Sequence, residues 1–452
     1  MKKQLILFML FFIGGVLFLL PNFYRDRWST VDPVYYDDWQ SRYDRTIIAR
    51  LVKTRQDGFF SAGGLLGLGD VVEWSYLNRV HKHQYDVYLN HKVFITYLPY
   101  KSHPGAQGIV FGIFDRLTNF RESQKIKIYR GTVGLASAIT IALLCAGIAV
   151  EFGWLSGILI LVFSAFSSWM ILPASSIYWN LWAYYLPFVI VAYLLADSLK
   201  NKIYNATKIH WWVFITVLIK TLFTGFEIIT TVLVMTTVPF IYYAIYNRWD
   251  IRTCIVRMIK AGIASFMATL TGLFILSIQI TLNDGNFSSA INYILSTFDR
   301  RAATGNPDNY DGIYAEAMRA STLSVIEKYL TINALDIHLP HLTIQVTYWQ
   351  LVITFMFFTL LFILVNKLRS NINSINKGTA LIGATWYSLL APLSWFIIFK
   401  PSSYTHPHIF PMAWQMPFVL LGLALCGFVI QDLFKTLSSK TISLPSPASQ
   451  TD

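Results

Sequence analysis

One carboxylate stands at the head of a basic, amphipathic stretch near the start of the chain. Asp44 precedes residues 45–53, whose aliphatic side chains share one face of a helix while the basic ones occupy the other faces. A carboxylate is favoured at a helix N-terminus because the first backbone N–H groups have no partner within the helix. Such a group can act as a general base that takes a proton from a hydroxyl group. The alternative is a structural helix cap at Asp44, with Asp37 and Asp38 in solvent.

Two ionisable residues lie in or beside apolar segments in the middle of the chain. Lys220 is inside one such segment, and Glu227 follows Gly225 at the start of the next. A charge inside a membrane span costs on the order of 2–3 kcal/mol and is usually kept for function. A lysine near the membrane surface can bind a phosphate as a point charge. The alternatives are a structural pair between Lys220 and Glu227, or a lysine that extends its ammonium group to the surface.

Two histidines and two arginines occur in later polar segments. His406 and His408 are two residues apart in a turn, and Arg300 and Arg301 are adjacent within 282–345. In an extended turn, side chains at this histidine spacing point to opposite sides, which suits a single metal ion poorly without further ligands. Hydrogen bonds to a sugar or phosphate, or capping of a neighbouring helix, are the other interpretations. The three cysteines show neither metal-ligand nor disulfide spacing.

The elements that must position these residues are membrane helices. Of the 452 residues, 55% are hydrophobic and 13% are charged, and the mean hydropathy is +0.49. A soluble domain has about a quarter of its residues charged. The net charge of +12 fits Lys and Arg in cytoplasmic loops. It does not indicate nucleic-acid binding, because no compact basic stretch interleaved with aromatic residues lies outside the apolar segments.

The sequence predicts an all-α polytopic membrane protein with about ten transmembrane helices in one membrane domain, 1–431. A span needs about 20 predominantly apolar residues. The candidate spans are 4–21, 132–150, 154–172, 178–196, 211–225, 228–246, 261–281, 348–366, 378–398 and 411–431. We expect the first span to be retained, because no small-residue cleavage site follows it.

Lysines and arginines in the short connections predict the orientation. With the N-terminus in the cytoplasm, the lysines and arginines near the span ends collect in the cytoplasmic segments around 2–3, 200–208, 248–260, 367–377 and 435–440, whereas the short outer connections contain only Lys400. Two long segments, 22–130 and 282–345, then lie outside the cytoplasm. The first contains amphipathic stretches, including one near residues 108–120. The polar, Pro-containing tail 432–452 is predicted to be cytoplasmic and disordered.

Given this arrangement, the chain resembles the GT-C superfamily of membrane glycosyltransferases, which includes protein O-mannosyltransferases and lipid A aminoarabinose transferases. It is more similar still to a group of bacterial multi-pass membrane proteins of this type. In the superfamily, an acidic residue near the start of a large first outer loop opens a surface helix, the place that Asp44 takes here. The other residues that carry the likeness are in 50–64, 105–108, 178–188, 220–227 and 406–408. Arg45 stands where many GT-C enzymes have a second acidic residue, which leaves metal dependence open.

The resemblance implies a glycosyltransferase of the bacterial inner membrane. Its donor would be a sugar on a polyprenyl phosphate, and its acceptor an envelope glycan, a lipid or a protein outside the cytoplasm. Asp44 would be the general base. Lys220 would be the first candidate for the cation on the donor phosphate, with Arg300 or Arg301 as alternatives. Glu227, His406 and His408 would help to hold the donor phosphate or sugar. No cofactor is assigned, and a divalent metal ion remains an alternative.

Two other classes of function remain open. In a transporter or lipid flippase, Lys220 and Glu227 would line a translocation path. A first outer loop of about 100 residues, and the lack of internal repeats, argue against the major transporter folds. A structural or assembly protein of the envelope predicts that Asp44→Asn has no effect on function.

Overall fold

The computed structural model of the protein describes residues 2–71, 80–302, 304–339, 342–366 and 372–441. This part of the chain is almost entirely helical, with two short antiparallel hairpins. The helices, in chain order, are α1 (Lys2–Arg25), α2 (Pro33–Asp57), α3 (Val80–Leu89), α4 (Ala106–Leu117), α5 (Glu122–Phe152), α6 (Trp154–Phe166), α7 (Ser168–Ala174), α8 (Leu181–Lys200), α9 (Ala206–Thr224), α10 (Ile229–Tyr246), α11 (Ile251–Asp284), α12 (Phe287–Ala302), α13 (Gly312–Arg319), α14 (Thr322–Leu330), α15 (Tyr348–Asn366), α16 (Ile372–Ser388), α17 (Leu390–Ile398), α18 (Lys400–Thr405), α19 (Met412–Trp414) and α20 (Leu420–Thr441). The strands are β1 (Gly67–Gly69), β2 (Tyr97–Pro99), β3 (Asn333–Leu339) and β4 (Leu342–Thr347).

Nine of the helical segments in the described ranges are long and apolar enough to cross a membrane. They are α1, α5, α8, α9, α10, α11, α15, the α16–α17 segment and the α19–α20 segment. A tenth candidate is the pair α6 and α7, which is bent by 68°. Each of the ten spans predicted from the sequence coincides with one of these. The prediction of an all-α protein with about ten membrane-length helices is therefore confirmed.

Small residues allow several of these helices to approach closely. A Cβ atom added at Gly15 of α1 would lie 3.1 Å from the Cβ of Ala142 on α5. At Gly427 of α20 it would lie 2.6 Å from the Cα of Ser156 on α6. The Ser156 hydroxyl donates to the Ala424 carbonyl at 2.8 Å. Helix association in a membrane relies on such close packing and interhelical hydrogen bonds, because lipid offers no hydrophobic driving force between helices.

The helix that contains Asp44 begins earlier than the sequence predicts. It starts at Pro33, and the Asp32 carboxylate caps it by accepting from the Tyr35 N–H at 2.8 Å. Proline suits the first helical position because its φ is already fixed near the helical value. Asp44 thus lies in the middle of α2, and its predicted place at a helix N-terminus is wrong. The aliphatic face of 45–53 is fully buried, so this helix packs inside the protein rather than on the membrane surface.

A buried arginine of α2 organises the turn that follows the helix. Arg50 is fully buried, and its guanidinium donates to the carbonyl oxygens of Ser61 at 2.6 Å, Gly58 at 3.3 Å and Leu65 at 3.4 Å, and to that of Phe59. These carbonyls have no place in a regular helix or sheet ladder. One side chain therefore donates hydrogen bonds to four backbone carbonyls of the turn between α2 and β1.

The second long loop is attached to the turn between α17 and α19. The Tyr329 hydroxyl of α14 donates to the Ser403 carbonyl at 2.7 Å. Lys400 donates to the carbonyls of Met318 at 2.9 Å and Ala320 at 2.7 Å. The hairpin of β3 and β4, which pairs Ile337 with Ile344, leads from this loop into α15. Both long loops thus gather at one end of the helix bundle, together with the turns 175–180, 225–228 and 399–411; we call this the loop end.

The last helix is longer than the sequence predicts. Helix α20 continues to Thr441, ten residues into the segment predicted to be a disordered tail. Apolar and polar residues alternate at helical spacing up to that point, whereas the Pro-containing segment begins only at 444. Residues 442–452 lie outside the described part of the chain.

Candidate functional site

Segments that are far apart in sequence enclose one large cavity at the loop end. The cavity has a volume of about 830 Å³, within the range of about 300–1,000 Å³ typical of ligand sites. We call it the loop-end cavity. Its lining comes from α2, α12, the turns beside α8, α10 and α18, and residues 98–102 and 310–314. The outer segments that contain the polar candidates all contribute residues to the lining of the loop-end cavity.

The wall of the loop-end cavity has an excess of positive charge. Its described lining contains five Lys and Arg side chains but one carboxylate, that of Glu227; the five are Arg42, Arg45, Lys101, Arg300 and Arg301. Some of these charges are partly compensated, because Arg42 pairs with Asp38 at 2.6 Å and Lys101 pairs with Asp284 at 2.6 Å. Among the described residues no carboxylate pairs with Arg300, whose guanidinium lies 5.5 Å from the Tyr314 ring centroid. The cavity therefore favours an anionic ligand.

Glu227 enters the cavity wall on a tight turn between α9 and α10. Its carboxylate accepts from Arg301 Nη1 at 2.7 Å. Burial, the largest influence, would raise the pKa of Glu227, but the positive charge and the hydrogen bond of Arg301, with the charge of Lys220, act in the opposite direction and the pKa is lowered. An ionised Glu227 thus fixes Arg301, and with it the end of α12, at the cavity.

Lys220 stabilises this turn from behind the cavity wall. It is fully buried, and its ammonium group donates to the carbonyls of Gly225 at 2.9 Å and Glu227 at 2.7 Å. Gly225 has φ +61° and Ile228 has φ +54°, so the turn adopts left-handed conformations that need external support. Lys220 does not line the cavity. Of the cations predicted for a donor phosphate, Arg300 and Arg301 therefore lie in the cavity wall and Lys220 lies behind it.

The two histidines lie side by side at the cavity. The ring centroids of His406 and His408 are 5.9 Å apart. The Nδ1 of His406 lies 3.0 Å from the Ser402 carbonyl, to which it donates, so Nε2 of the neutral ring is an acceptor. Burial lowers the pKa of both rings, which keeps them neutral near pH 7. Among the described residues no three His, Cys, Asp or Glu side chains group as metal ligands.

Asp44 lies directly behind the cavity wall. Its side chain is fully buried, and its oxygens accept from Arg130 Nε at 2.9 Å, from the Ser176 hydroxyl at 2.9 Å and from the Tyr178 N–H at 3.4 Å. Tyr43, Arg45 and Tyr178 line the cavity while Asp44 does not. Burial raises the pKa of the Asp44 carboxyl, and Arg130 and Ser176 oppose that increase only in part.

His103 joins this region without a signal in the sequence. It is buried beneath Gly225, where an added Cβ atom would lie 2.8 Å from its Cδ2. Its Nδ1 accepts from the Gly105 N–H at 2.9 Å, and its ring lies 5.3 Å from that of Tyr178. Burial lowers the pKa of His103 to about 3. The ring is therefore a neutral support between the Glu227 turn and the Tyr178 wall.

Comparison of the chain with protein-family models, curated proteins and solved structures gave no match. The resemblance to GT-C glycosyltransferases therefore stays a prediction, carried by the short motifs and by the arrangement of the spans and loops. The sequence does not predict a functional role for three residues of the cavity wall, Arg42, Tyr100 and Lys101. It does not predict one for Arg130, which lies behind the wall at Asp44, either. None of them stands in a pattern that separates it from other surface residues.

Helix α12 forms a wall with two different faces. Tyr293, Ser296, Thr297, Arg300 and Arg301 line the loop-end cavity. The other face carries exposed apolar side chains, namely Phe287, Ile291, Leu295 and Phe298, which are 37–56% exposed. The helix begins three residues after the membrane-length helix α11 ends. We therefore expect α12 to lie in the membrane interface with its apolar face in lipid.

Neighbouring labels on α12 are expected to report opposite environments. A fluorophore attached to the thiol of the Leu295→Cys variant should be quenched strongly by nitroxide lipids, because Leu295 is on the apolar face. The same fluorophore on the Ser296→Cys variant should be quenched weakly, because Ser296 lines the cavity. Both variants are made in a chain whose Cys145, Cys254 and Cys426 are replaced by Ala. Equal quenching at both positions would contradict an interfacial α12.

The role of Lys220 can be separated from phosphate binding. Lys220→Met is expected to reduce stability by about 2–3 kcal/mol, because two buried carbonyl groups lose a charged donor. If the protein uses the polyprenyl-phosphate donor that the resemblance implies, the variant should keep the KM for that donor within about twofold below its unfolding temperature. A direct phosphate contact predicts instead a loss of about tenfold or more in donor affinity. Thermal unfolding and donor titration of the reconstituted protein distinguish the two roles.

Proposed function

We propose that the chain is a membrane glycosyltransferase that transfers a sugar from a polyprenyl phosphate to an acceptor at the loop end. The observation that supports this most is the loop-end cavity, where cations exceed carboxylates and aromatic side chains share the wall. Arginine is suited to phosphate because its planar guanidinium donates two parallel hydrogen bonds. Aromatic rings suit the apolar faces of a sugar ring. In this wall the ring centroids of Tyr43 and Trp179 are 5.6 Å apart.

The donor phosphate is assigned to the α12 side of the cavity. Arg300 and Arg301 lie there beside His406 and His408. As the bond between the anomeric carbon and the phosphate oxygen breaks, the electron pair leaves on that oxygen. A fixed cation stabilises this growing charge more in the transition state than in the ground state, and so accelerates departure. The apolar face of α12 lies on the opposite side of the same helix, which suits a phosphate attached to a membrane lipid.

Asp44 is assigned as the general base. The acceptor oxygen forms the new bond to the anomeric carbon, and its proton passes to the Asp44 carboxylate. Of the two carboxylates near the cavity, Asp44 has its pKa raised and Glu227 has its pKa lowered, so Asp44 is the stronger base. Its carboxylate has no surface in the cavity in this structure, so the assignment requires substrate to displace the side chains of Tyr43 or Tyr178.

A transporter is the less favoured proposal. It would use Lys220 and Glu227 as polar groups along a path through the bundle. Lys220 instead binds two backbone carbonyls, and Arg301 pairs with the Glu227 carboxylate. Both groups are therefore engaged in fixing one turn of the cavity wall.

The proposal is tested by supplying the purified full-length protein, in lipid nanodiscs, with radiolabelled polyprenyl-phosphate sugars and a membrane extract as acceptor. Wild-type protein is expected to incorporate label from at least one donor. Incorporation no greater than that of empty nanodiscs across the donor panel would overturn the glycosyltransferase proposal. Label that crosses sealed vesicles without a new glycosidic bond would support the transporter.

Arg300 is expected to contribute directly to donor affinity. Arg300→Gln should raise the donor KM by about 10–100-fold, the effect of losing one charge-assisted hydrogen bond to phosphate. Arg319→Gln is the matched control, since Arg319 lies in the same loop, pairs with Asp308 and does not line the loop-end cavity. A donor KM equally unchanged in both variants would place the phosphate elsewhere.

A further inference from the structure

A second, amphiphilic cavity lies at the end of the bundle opposite the loop end. Its inner part is an apolar slot of about 200 Å³ between α5, α8, α10 and α16. Small side chains leave this space open, including Gly147, Ala192, Ala196 and Ala384. Its outer part is a charged vestibule of about 270 Å³ between α5, α16 and α20. The two parts share Val150, Glu151 and Phe152 in their walls, so they adjoin at the end of α5.

The slot has the dimensions of one hydrocarbon chain. Along α5 its lining runs from Leu144 to Phe152, which corresponds to about 12 Å of helix rise. A volume of about 200 Å³ over this length describes a narrow slot, which suits one extended alkyl chain rather than two. Water gains few hydrogen bonds in so apolar a space, and an empty apolar cavity costs free energy in proportion to its volume.

The vestibule has charges of both signs in equal number. Lys377, Lys435, Glu151 and Asp432 all line it. The inner edge is fixed, because the Glu151 carboxylate accepts from Lys377 at 2.9 Å and from the Tyr242 hydroxyl at 2.8 Å. A purely anionic head group would meet two carboxylates here. A zwitterionic head group can place its phosphate near the lysines and its ammonium group near the carboxylates.

We propose that this site binds one zwitterionic phospholipid of the phosphatidylethanolamine type, with a single acyl chain in the slot and the head group in the vestibule. The lipid fills the space between helices that also build the wall of the loop-end cavity, since α8 and α10 begin at that cavity and end at this site. The lipid therefore stabilises the relative positions of these helices. This site is independent of the proposed sugar transfer and lies in the opposite leaflet.

Native mass spectrometry of the full-length protein in a mild detergent tests the proposal. With phosphatidylethanolamine and phosphatidylglycerol added in equal amounts, we expect one bound phosphatidylethanolamine per chain. Its preference over phosphatidylglycerol should be about fivefold, as one partly exposed ion pair supplies. Equal retention of the two lipids, or preferential retention of phosphatidylglycerol, would overturn the assignment of the head group.

Two variants locate the lipid. Ala192→Phe fills the slot and should abolish retention, whereas the control Ala264→Phe on α11, outside the slot, should retain lipid like the wild type. Lys435→Gln removes an exposed charge of the vestibule without filling the slot, and should reduce retention about fivefold. If Ala192→Phe does not elute as a monodisperse protein, the Lys435 variant decides. Wild-type retention in either well-folded variant would overturn the site.

Discussion

Replacing Asp44 by Asn is expected to lower sugar transfer by about 10²–10⁴-fold, the usual contribution of a general base. Asparagine keeps the size of the side chain, and its oxygen can still accept from Ser176, but it cannot take the proton of an acceptor hydroxyl. The measurement is the rate of label transfer by the reconstituted protein at saturating donor. Because the donor phosphate is assigned to the α12 side of the cavity, the donor KM should change little.

A structural effect of this substitution must be separated from a catalytic one. Asp44 is fully buried and pairs with Arg130, whose side chain is 19% exposed, so asparagine leaves a largely enclosed guanidinium without its carboxylate. Breaking such a pair costs about 3–5 kcal/mol, which thermal unfolding of the variant will show. Arg130→Gln is the comparison, since it breaks the same pair and keeps the carboxylate. We expect Arg130→Gln to lose stability but to retain far more transfer per folded molecule than Asp44→Asn.

Glu227→Gln decides between the two carboxylates. Loss of the Glu227 carboxylate should release the Arg301 side chain and weaken donor binding, because Arg301 pairs with that carboxylate at 2.7 Å. The turnover rate at saturating donor should fall less than in Asp44→Asn. The opposite result, a full loss of turnover in Glu227→Gln with transfer preserved in Asp44→Asn, would make Glu227 the base. Preserved turnover in both variants would remove acid–base chemistry by either group from the mechanism.

The membrane architecture is predictable because its signal is summed over long segments. An apolar run of about 20 residues does not depend on any single side chain, so all ten predicted spans match helices of the structure. The gathering of polar candidates also follows from topology. Once the connections near Asp44, Glu227, Arg300 and His406 are assigned to one side of the membrane, they must meet at one end of the bundle.

The partners of the charged residues are not predictable in the same way. Asp44 pairs with Arg130, 86 residues later, and Lys101 donates to Asp284, 183 residues later. Such pairs depend on how α2 and the loops pack across the bundle, and no local spacing encodes that packing. The pairing predicted between Lys220 and Glu227 illustrates the difference. The two residues do touch, but Lys220 binds the backbone carbonyl of Glu227 and Arg301 binds its carboxylate.

The first residue of α2 shows which local sequence signal determines where this helix begins. Asp44 heads a basic amphipathic stretch, but Asp32 followed by Pro33 is the cap that the structure uses. The intervening residues 34–43 are rich in tyrosine and charge, which obscures their helical pattern. A carboxylate in the middle of a buried helix needs a cation, and Arg130 supplies it. Burial therefore raises the pKa of the Asp44 carboxyl, whereas the predicted place at a helix N-terminus would have lowered it.

Arg50 is expected to have a large effect on stability, comparable to that of the buried pair between Asp44 and Arg130. Replacing it by Leu should reduce the free energy of unfolding by about 3–5 kcal/mol, because the carbonyls of Phe59 and Ser61 lose their side-chain donor inside the protein and those of Gly58 and Leu65 lose one of their donors. The turn 58–65 follows α2 directly and packs on α11, where Gly63 lies against the Gln279 carbonyl. Loss of the turn should therefore expose the peptide bonds around Gly58 to protease. Limited proteolysis and thermal unfolding in nanodiscs measure both effects.

Two comparisons show whether the number of donors or the positive charge is responsible. Lysine at position 50 keeps the charge but offers three donors from a single atom, so Arg50→Lys should recover only part of the lost stability. Arg116→Met is the control for an exposed arginine that donates to a single backbone carbonyl, that of Thr54 at 2.7 Å, and should cost about 0.5–1.5 kcal/mol. An Arg50→Leu protein as stable as Arg116→Met would show that water replaces the guanidinium in the turn. In that case the turn would hold its shape through its own backbone and its contact with α11.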